Sequence, residues 1–173
     1  MFVQQYIDSL DFARNGLEIR GKIPASEMPR LQAMLAAPEG EFSYLVRGVC
    51  SSLGRPMLQV TLDGSCQLIC QRCLQSLAYP VKLLTHLILV PADQLDLAED
   101  DSEDCDSIPA DTHMDVRTLL EEELLLSLPF APTHPPESCS LAMGSLAMVS
   151  EEIKEAGQAA TNPFAVLAKL KSG

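Results

Sequence analysis

Along the first half of the chain, apolar and polar positions alternate with the period of half-buried strands. Leu17-Glu18-Ile19-Arg20-Gly21-Lys22-Ile23 sets apolar against charged or small residues until Pro24 stops it, which predicts a strand with one face on a core. The alternation resumes at Phe42, Tyr44 and Val46, then over Met57 to Leu62, Ser65 to Cys70 and Tyr79 to Val90. Breaks at Gly54-Arg55, Asp63-Gly64 and the turn Cys70-Gln71-Arg72-Cys73 separate these runs, and Asp-Gly is a hairpin or bulge signal. The runs describe successive antiparallel strands, about five in all, a common size for a sheet.

Helical periods flank the strands. Ser26 as a cap, Pro29 in the first turn and the apolar Leu31, Met34 and Leu35 predict a turn or two of helix ending near Pro38. Asp8 to Arg14 is only weakly helical in pattern. Asp115 is a good cap for Val116 to Leu128, where Val116, Leu119, Leu120, Leu124 and Leu128 share a face and Pro129 ends the run. Glu121, Glu122 and Glu123 then fall toward solvent. Near the end of the chain Asn162 caps, Pro163 takes the first helical position, and Lys169 and Lys171 suit the last turn of a helix with the stripe Phe164, Leu167 and Leu170. A helix this short needs a surface, its own core or a partner's. The expected fold is α+β: an antiparallel sheet of about five strands with a few packed helices and a long acidic loop. Residues 1–139 read as a single domain carrying an acidic loop over 91–114, and 140–173 as an extension ending in the short helix.

A chain of 173 residues with 47% hydrophobic residues can bury a real core. Its longest apolar run, Leu83 to Val90, is interrupted by Thr85 and His86 and falls short of the roughly 18 residues a membrane span needs. The N-terminus lacks a basic segment followed by an apolar block, so a reducing cytoplasm without disulfide staples is expected. The net charge of −12 is unevenly placed: residues 1–90 hold eight Lys/Arg against seven Asp/Glu, 138–173 hold three of each, and 91–137 hold one Arg against fourteen acids. Such an acidic run cannot cradle a phosphate backbone, which requires basic side chains. Its complement is a basic surface, unless it serves only as a solvated loop. On the docking reading, Asp93, Asp96, Glu99, Asp100, Asp101, Glu103, Asp104, Asp106 and Asp111, with Glu121, Glu122 and Glu123, contact a basic partner, and Phe164 and Leu167 offer an apolar anchor.

Six cysteines stand at 50, 66, 70, 73, 105 and 139. Cys50 and Cys66 read as small buried hydrophobes in apolar runs, and Cys105, among acids, as exposed. Cys70 and Cys73 alone have ligand spacing with each other. The pair can chelate a metal, pass through a disulfide, or sit reduced and inert. The proline-rich connector Pro129 to Cys139 adds His134 and Cys139, five positions apart. Together Cys70, Cys73, His134 and Cys139 would form a Cys3His set that suits zinc. No paired carboxylates, nucleophile-base set or Gly-rich phosphate loop is evident. Within the apolar strand run, His86 reads as a satisfied core residue, and His113 as a loop residue.

The cysteine turn after an alternating strand, the leucine-rich acidic helix ending at Leu128-Pro129, the His134 to Cys139 connector and the closing Asn162-Pro163-Phe164-Ala165-Val166-Leu167 together resemble the YceD family, the large ribosomal RNA subunit accumulation proteins. The resemblance runs through nearly the whole chain. It implies a bacterial cytoplasmic protein that supports large-subunit ribosomal RNA accumulation and is typically encoded beside a small basic large-subunit ribosomal protein. It brings no enzymatic activity to map onto residues here. Three functions follow as expectations. The first is a non-enzymatic factor in ribosome assembly that holds a basic large-subunit ribosomal protein or engages a pre-ribosomal particle. The second is direct RNA binding through Arg14, Arg20, Lys22, Arg30, Arg47, Arg55, Arg72 and Lys82, should these gather on one face. The third is a thiol oxidoreductase acting through Cys70 and Cys73, although no helix N-terminus follows the pair to lower a cysteine pKa. No membrane contact is expected, and nothing in the pattern sets an oligomeric state.

Overall fold

The computed structural model describes residues 5–93 and 105–139. Residues up to His134 belong to one compact unit, and 135–139 are the described part of a second. In chain order the elements are β1 (Tyr6–Ile7), α1 (Ser9–Arg14), β2 (Glu18–Pro24), a 3-10 turn (Ala25–Glu27), α2 (Pro29–Gln32), β3 (Leu35–Cys50), β4 (Pro56–Ile69), β5 (Ser76–Val90), β6 (Asp106–Pro109), β7 (Met114–Asp115) and α3 (Val116–Ser127). Five strands form one sheet in the order β2-β3-β4-β5-β6, and β1 pairs with β7 in a two-stranded ribbon. All pairings in the large sheet are antiparallel except the last, where β6 runs parallel to β5 along Leu87 to Val90. The fold is α+β with a largely antiparallel sheet.

Alternation in the strands sets the layers. Phe42, Val46, Val60 and Leu62 are fully buried on the inner face, where they pack with Phe12 of α1, Leu31 of α2 and Val116, Leu120 and Leu124 of α3. Each fully buried side chain of this size contributes roughly 1.5–3 kcal/mol. The opposite face carries Glu18, Arg20, Lys22, Glu41, Ser43, Arg47 and Asp63, with an alternating burial pattern along β2 and β3.

Three local expectations are corrected. Asp63-Gly64, a hairpin signal in sequence, runs through the middle of β4, pairing with Ser43 and Phe42. Glycine is needed there because an added Cβ would lie 2.8 Å from a ring carbon of Phe42 and run into the Glu41 carbonyl. Cross-strand crowding, rather than a turn, selected the residue. Secondly, the helix expected from Ser26 to Pro38 is only Pro29–Gln32. Ser26 lies in the 3-10 turn, the N-cap position is Met28 with no side-chain cap, and Leu35 already begins β3. Pro38 falls inside the register shift between Leu35 and Gly40, where the ladder is interrupted and its missing N–H costs little. Lastly, Asp106 to Pro109, read as part of the acidic loop, is a paired edge strand.

Helices α1 and α3 form as their caps direct. Asp8 accepts from the Asp11 N–H at 3.0 Å, and Asp115 accepts from the Arg117 N–H at 2.9 Å. Ser9 ties α1 to the segment after β6, its N–H donating to the Asp111 carbonyl at 2.9 Å and its Oγ accepting the Asp111 N–H at 3.0 Å. The C-terminal helix expected over 162–171 lies outside the described residues.

Candidate metal centre

The cysteine turn is the connection from β4 to β5. Cys70 donates its N–H to the Gln75 carbonyl at 2.9 Å, and Leu74 donates back to the Cys70 carbonyl at 2.9 Å. Closing the loop so tightly puts Leu74 at φ 60, a left-handed conformation that costs a non-glycine residue roughly 1–2 kcal/mol. The proline-rich connector after α3 comes back to this turn. The Pro132 carbonyl accepts the Gln71 N–H at 2.8 Å, and the His134 N–H donates to Cys70 Sγ at 3.4 Å. Prolines at 129, 132, 135 and 136 keep the connector extended and remove donors that would otherwise need partners.

His134 reaches both sides of the turn. Its Nε2 lies 3.1 Å from the Ser76 carbonyl, and since a carbonyl only accepts, that nitrogen carries the hydrogen. Nδ1 is therefore left facing Cys73 Sγ at 3.3 Å. An imidazole whose outer nitrogen is held by a backbone carbonyl, with its inner lone pair aimed at thiols, has the usual arrangement of a metal-ligating histidine. The fourth donor is Cys139: the ligand atoms of Cys70, Cys73, His134 and Cys139 all lie within 4.8 Å of one another. A tetrahedral zinc with bonds of about 2.3 Å to sulfur and 2.0 Å to nitrogen sets its ligands roughly 3.5–3.8 Å apart. The donor set fits zinc in both chemistry and scale.

The electrostatics of the turn favour the ligating form at Cys70 but not at His134, where they favour the imidazolium over the neutral ring that binds metal. Burial pushes the Cys70 thiol up, but the backbone N–H groups of Cys73, His134 and Arg72 and the Cys73 thiol more than reverse this and bring it down to about 5. Hydrogen bonding to Cys70 and then Cys73 raises His134 above the ordinary imidazole range, against desolvation. Cys70 is thus ready as a thiolate, the form in which cysteine binds metal. Three sulfurs and one nitrogen would fill a tetrahedron around a zinc ion, a donor set of structural type. A redox role fits less well: Cys70 is fully buried, and the turn leads into a strand rather than a helix.

Other residues singled out from the sequence have separate places. Asp93 and Asp106 are exposed, while Asp96, Glu99, Asp100, Asp101, Glu103, Asp104, Phe164 and Leu167 lie outside the described residues. The expected solvent-facing run of glutamates is corrected. Glu121 and Glu123 are buried, and Glu122 pairs with Arg30 at 3.0 Å. Glu121 Oε1 accepts the N–H groups of Arg30 at 2.7 Å and Leu31 at 3.0 Å, supplying from α3 the cap that Met28 cannot give α2. Glu123 packs at Thr85 beside Asp106, and burial raises its carboxyl. Among the cysteines, Cys66 is buried as expected, but Cys50 is exposed and Cys105 half-buried. His86 is not a core residue but faces Gln59 Nε2 at 3.0 Å, and His113 stacks on Tyr6 with ring centroids 4.3 Å apart.

Of the eight basic residues of the first half, Arg20, Lys22 and Arg47 share the outer face of the sheet, with the acids Glu18, Glu41 and Asp63 among them. Lys22 pairs with Glu41 at 2.7 Å and Arg47 with Glu18 at 2.8 Å, and Lys82 stands opposite Asp63 in the β4–β5 register. Arg14 ends α1, Arg30 lies in α2, Arg55 precedes β4 and Arg72 sits on the cysteine turn. Two contributors to the candidate metal centre, the Ser76 and Pro132 carbonyls, left no trace in the sequence, since any residue supplies a carbonyl.

A largely antiparallel sheet whose β4–β5 connection belongs to a Cys3His cluster able to hold a metal defines a small α+β protein. None of its described helices is long and apolar enough to cross a membrane. Residues 58–171 match the family described as "Large ribosomal RNA subunit accumulation protein YceD", and the chain belongs to that family. A protein of Haemophilus influenzae with the same description is 27% identical over 173 residues, covering 95% of this chain and 94% of that protein. No solved structure matches the chain. The matched span contains the cysteine turn, the connector and the Asn-Pro-Phe ending that carried the resemblance in the sequence.

Proposed function

We propose that the protein supports accumulation of large-subunit ribosomal RNA as a non-enzymatic, cytoplasmic assembly factor, holding a basic large-subunit ribosomal protein until it is delivered to RNA. Membership of the family supports the ribosomal role. Zinc on Cys70, Cys73, His134 and Cys139 locks the scaffold from which the acidic segment extends.

The placement of charge after folding carries this reading. Residues 91–137 hold fourteen acids against one arginine. Of the described cations, Lys22, Arg30, Arg47 and Arg117 are already engaged by acids of the same chain. These pairings draw part of the positive charge away from phosphate, whereas Asp93 and Asp106 flank the acidic segment in exposed positions. Direct RNA binding would need those cations to gather, and acids stand among them. Opposite charge on the partner steers encounter over a Debye length of roughly 8 Å at physiological salt.

The test spares β6, whose Asp106 to Pro109 is part of the sheet. Asp93, Asp96, Glu99, Asp100, Asp101, Glu103 and Asp104 are changed together to Asn or Gln, and affinity for a purified basic large-subunit ribosomal protein is followed across a salt titration. Weaker binding with a flatter salt dependence is expected. Unchanged affinity and salt slope would sink the proposal, and tight binding of ribosomal RNA fragments by the intact chain would favour the direct reading.

A further inference from the structure

A groove of about 370 Å³ lies between the end of β6, β7 and α3. Ile108, Met114 and Leu119 give it an apolar wall, and Asp111, Glu122 and Glu123 are among its acids. Asp111 and Glu122 are exposed, whereas Glu123 is only 7% exposed. The two buried glutamates of α3 differ in what holds them. Glu121 accepts two backbone N–H groups of α2, so its burial serves the fold. Glu123 accepts from the Thr85 hydroxyl, and the charges acting on it among the described residues, Asp106 and Glu122, are both negative. A buried carboxylate beside like charges costs stability unless a cation joins it. Asp106 begins β6 directly after the acids of 93–104 in sequence, which carries that run of negative charge up to the groove.

From this lining we infer that the groove seats an arginine side chain of the basic partner, its aliphatic stem along Ile108, Met114 and Leu119 and its guanidinium on the Glu123 carboxylate. An apolar stem ending in a cation matches an apolar wall ending in a buried acid. Arginine suits the place better than lysine, because a guanidinium is more weakly hydrated than an ammonium and meets a carboxylate through two parallel hydrogen bonds. At the surface Glu122 is engaged by Arg30 at 3.0 Å, which makes Glu123 the anchor. The inference rests on the proposed function for the identity of the protein that brings the arginine, but the groove itself is testable without that protein.

Propylguanidinium, the side-chain analogue of arginine, is the probe, with uncharged propylurea as the control of like shape, on the full-length protein. Binding is read from methyl resonances of Ile108, Met114 and Leu119 and from the carboxyl carbon of Glu123. Propylguanidinium should shift all four with a dissociation constant below about 10 mM, and propylurea at least about tenfold less well. Glu123→Gln should abolish that preference and Glu122→Gln should keep most of it; if Glu123→Gln does not fold, the two probes on the unaltered protein decide alone. No shifts at about 50 mM propylguanidinium, well above the expected constant, would overturn the inference. Equal binding of propylurea, or a preference that survives Glu123→Gln, would also overturn it. The variant with the acids of 93–104 neutralised should still bind propylguanidinium. Binding of propylguanidinium without any binding of the ribosomal protein would overturn the proposed partner, and the reverse would overturn the groove alone.

Discussion

Replacing Glu121 with Ala isolates an interaction that the sequence conceals. One carboxylate oxygen accepts the Arg30 and Leu31 N–H groups at 2.7 and 3.0 Å, at the start of a helix whose N-cap residue, Met28, has no side-chain cap. Removing it leaves two donors without an acceptor at a residue that is only 4% exposed. Loss of a cap costs roughly 0.5–2 kcal/mol, and a buried donor left unsatisfied costs roughly 1–3 kcal/mol. Since α2 is short and water can reach part of the gap, a total of about 2–4 kcal/mol is expected. Glu122→Ala is the internal control. It breaks an exposed ion pair with Arg30, worth roughly 0–1 kcal/mol. In urea unfolding, with a slope of about 2 kcal/mol/M, Glu121→Ala should lower the midpoint by about 1–2 M and Glu122→Ala by far less. Glu121→Gln, which keeps one acceptor oxygen, should recover part of the loss. Equal midpoints for the two alanine variants would refute the capping argument.

Two further substitutions follow from packing and charge. Burial raises the Glu123 carboxyl above 4.5, so the folded chain holds that proton more tightly than the unfolded one, and this contribution to stability is present below the unfolded pKa and lost as pH rises through the folded pKa. Glu123→Gln should therefore stabilise the protein near pH 7 and lose that advantage toward pH 4; a stability difference that did not change with pH in denaturant titrations would contradict this. At Gly48 an added Cβ would collide with the Phe12 carbonyl and lie 2.7 Å from Ala13 Cα, so Gly48→Ala must push α1 off the sheet. It should lose about 2–3 kcal/mol or more, and a melting temperature within a degree or two of the parent, less than about 1 kcal/mol, would show that α1 does not pack as described.

Patterns repeated along the chain were legible because many residues vote for them. Period-two alternation identified the inner faces of β2 to β5, and Asp115 with the leucine stripe identified α3 nearly to the residue. The clustering of Cys70, Cys73, His134 and Cys139 was also legible, because Cys-x-x-Cys on a turn and a His and Cys in a proline-rich connector are residue types with few competing uses. Single-residue signals failed where tertiary contacts outweighed them. Asp63-Gly64 looked like a turn because turns and close strand contacts both select glycine, and only the Phe42 ring across the pair decides between them. The glutamates at 121 and 123 looked exposed because charge normally stays in water; their burial depends on the Arg30 and Leu31 N–H groups in a helix about ninety residues away in sequence and on Thr85 in β5. Parallel β6 was hidden by its acidic neighbours and its length of four residues.

Metal content of the full-length protein, purified without added metal or chelator and paired with thiol counting, tests the centre most directly. One zinc per chain is expected, with the thiols of Cys70, Cys73 and Cys139 protected and those of Cys50 and Cys105 reactive; Cys70→Ser should lose the zinc and much of the protein's stability together. Protein that is folded, free of metal and equally stable with Cys70 replaced would contradict a zinc-locked scaffold and leave the cysteine turn as packing alone.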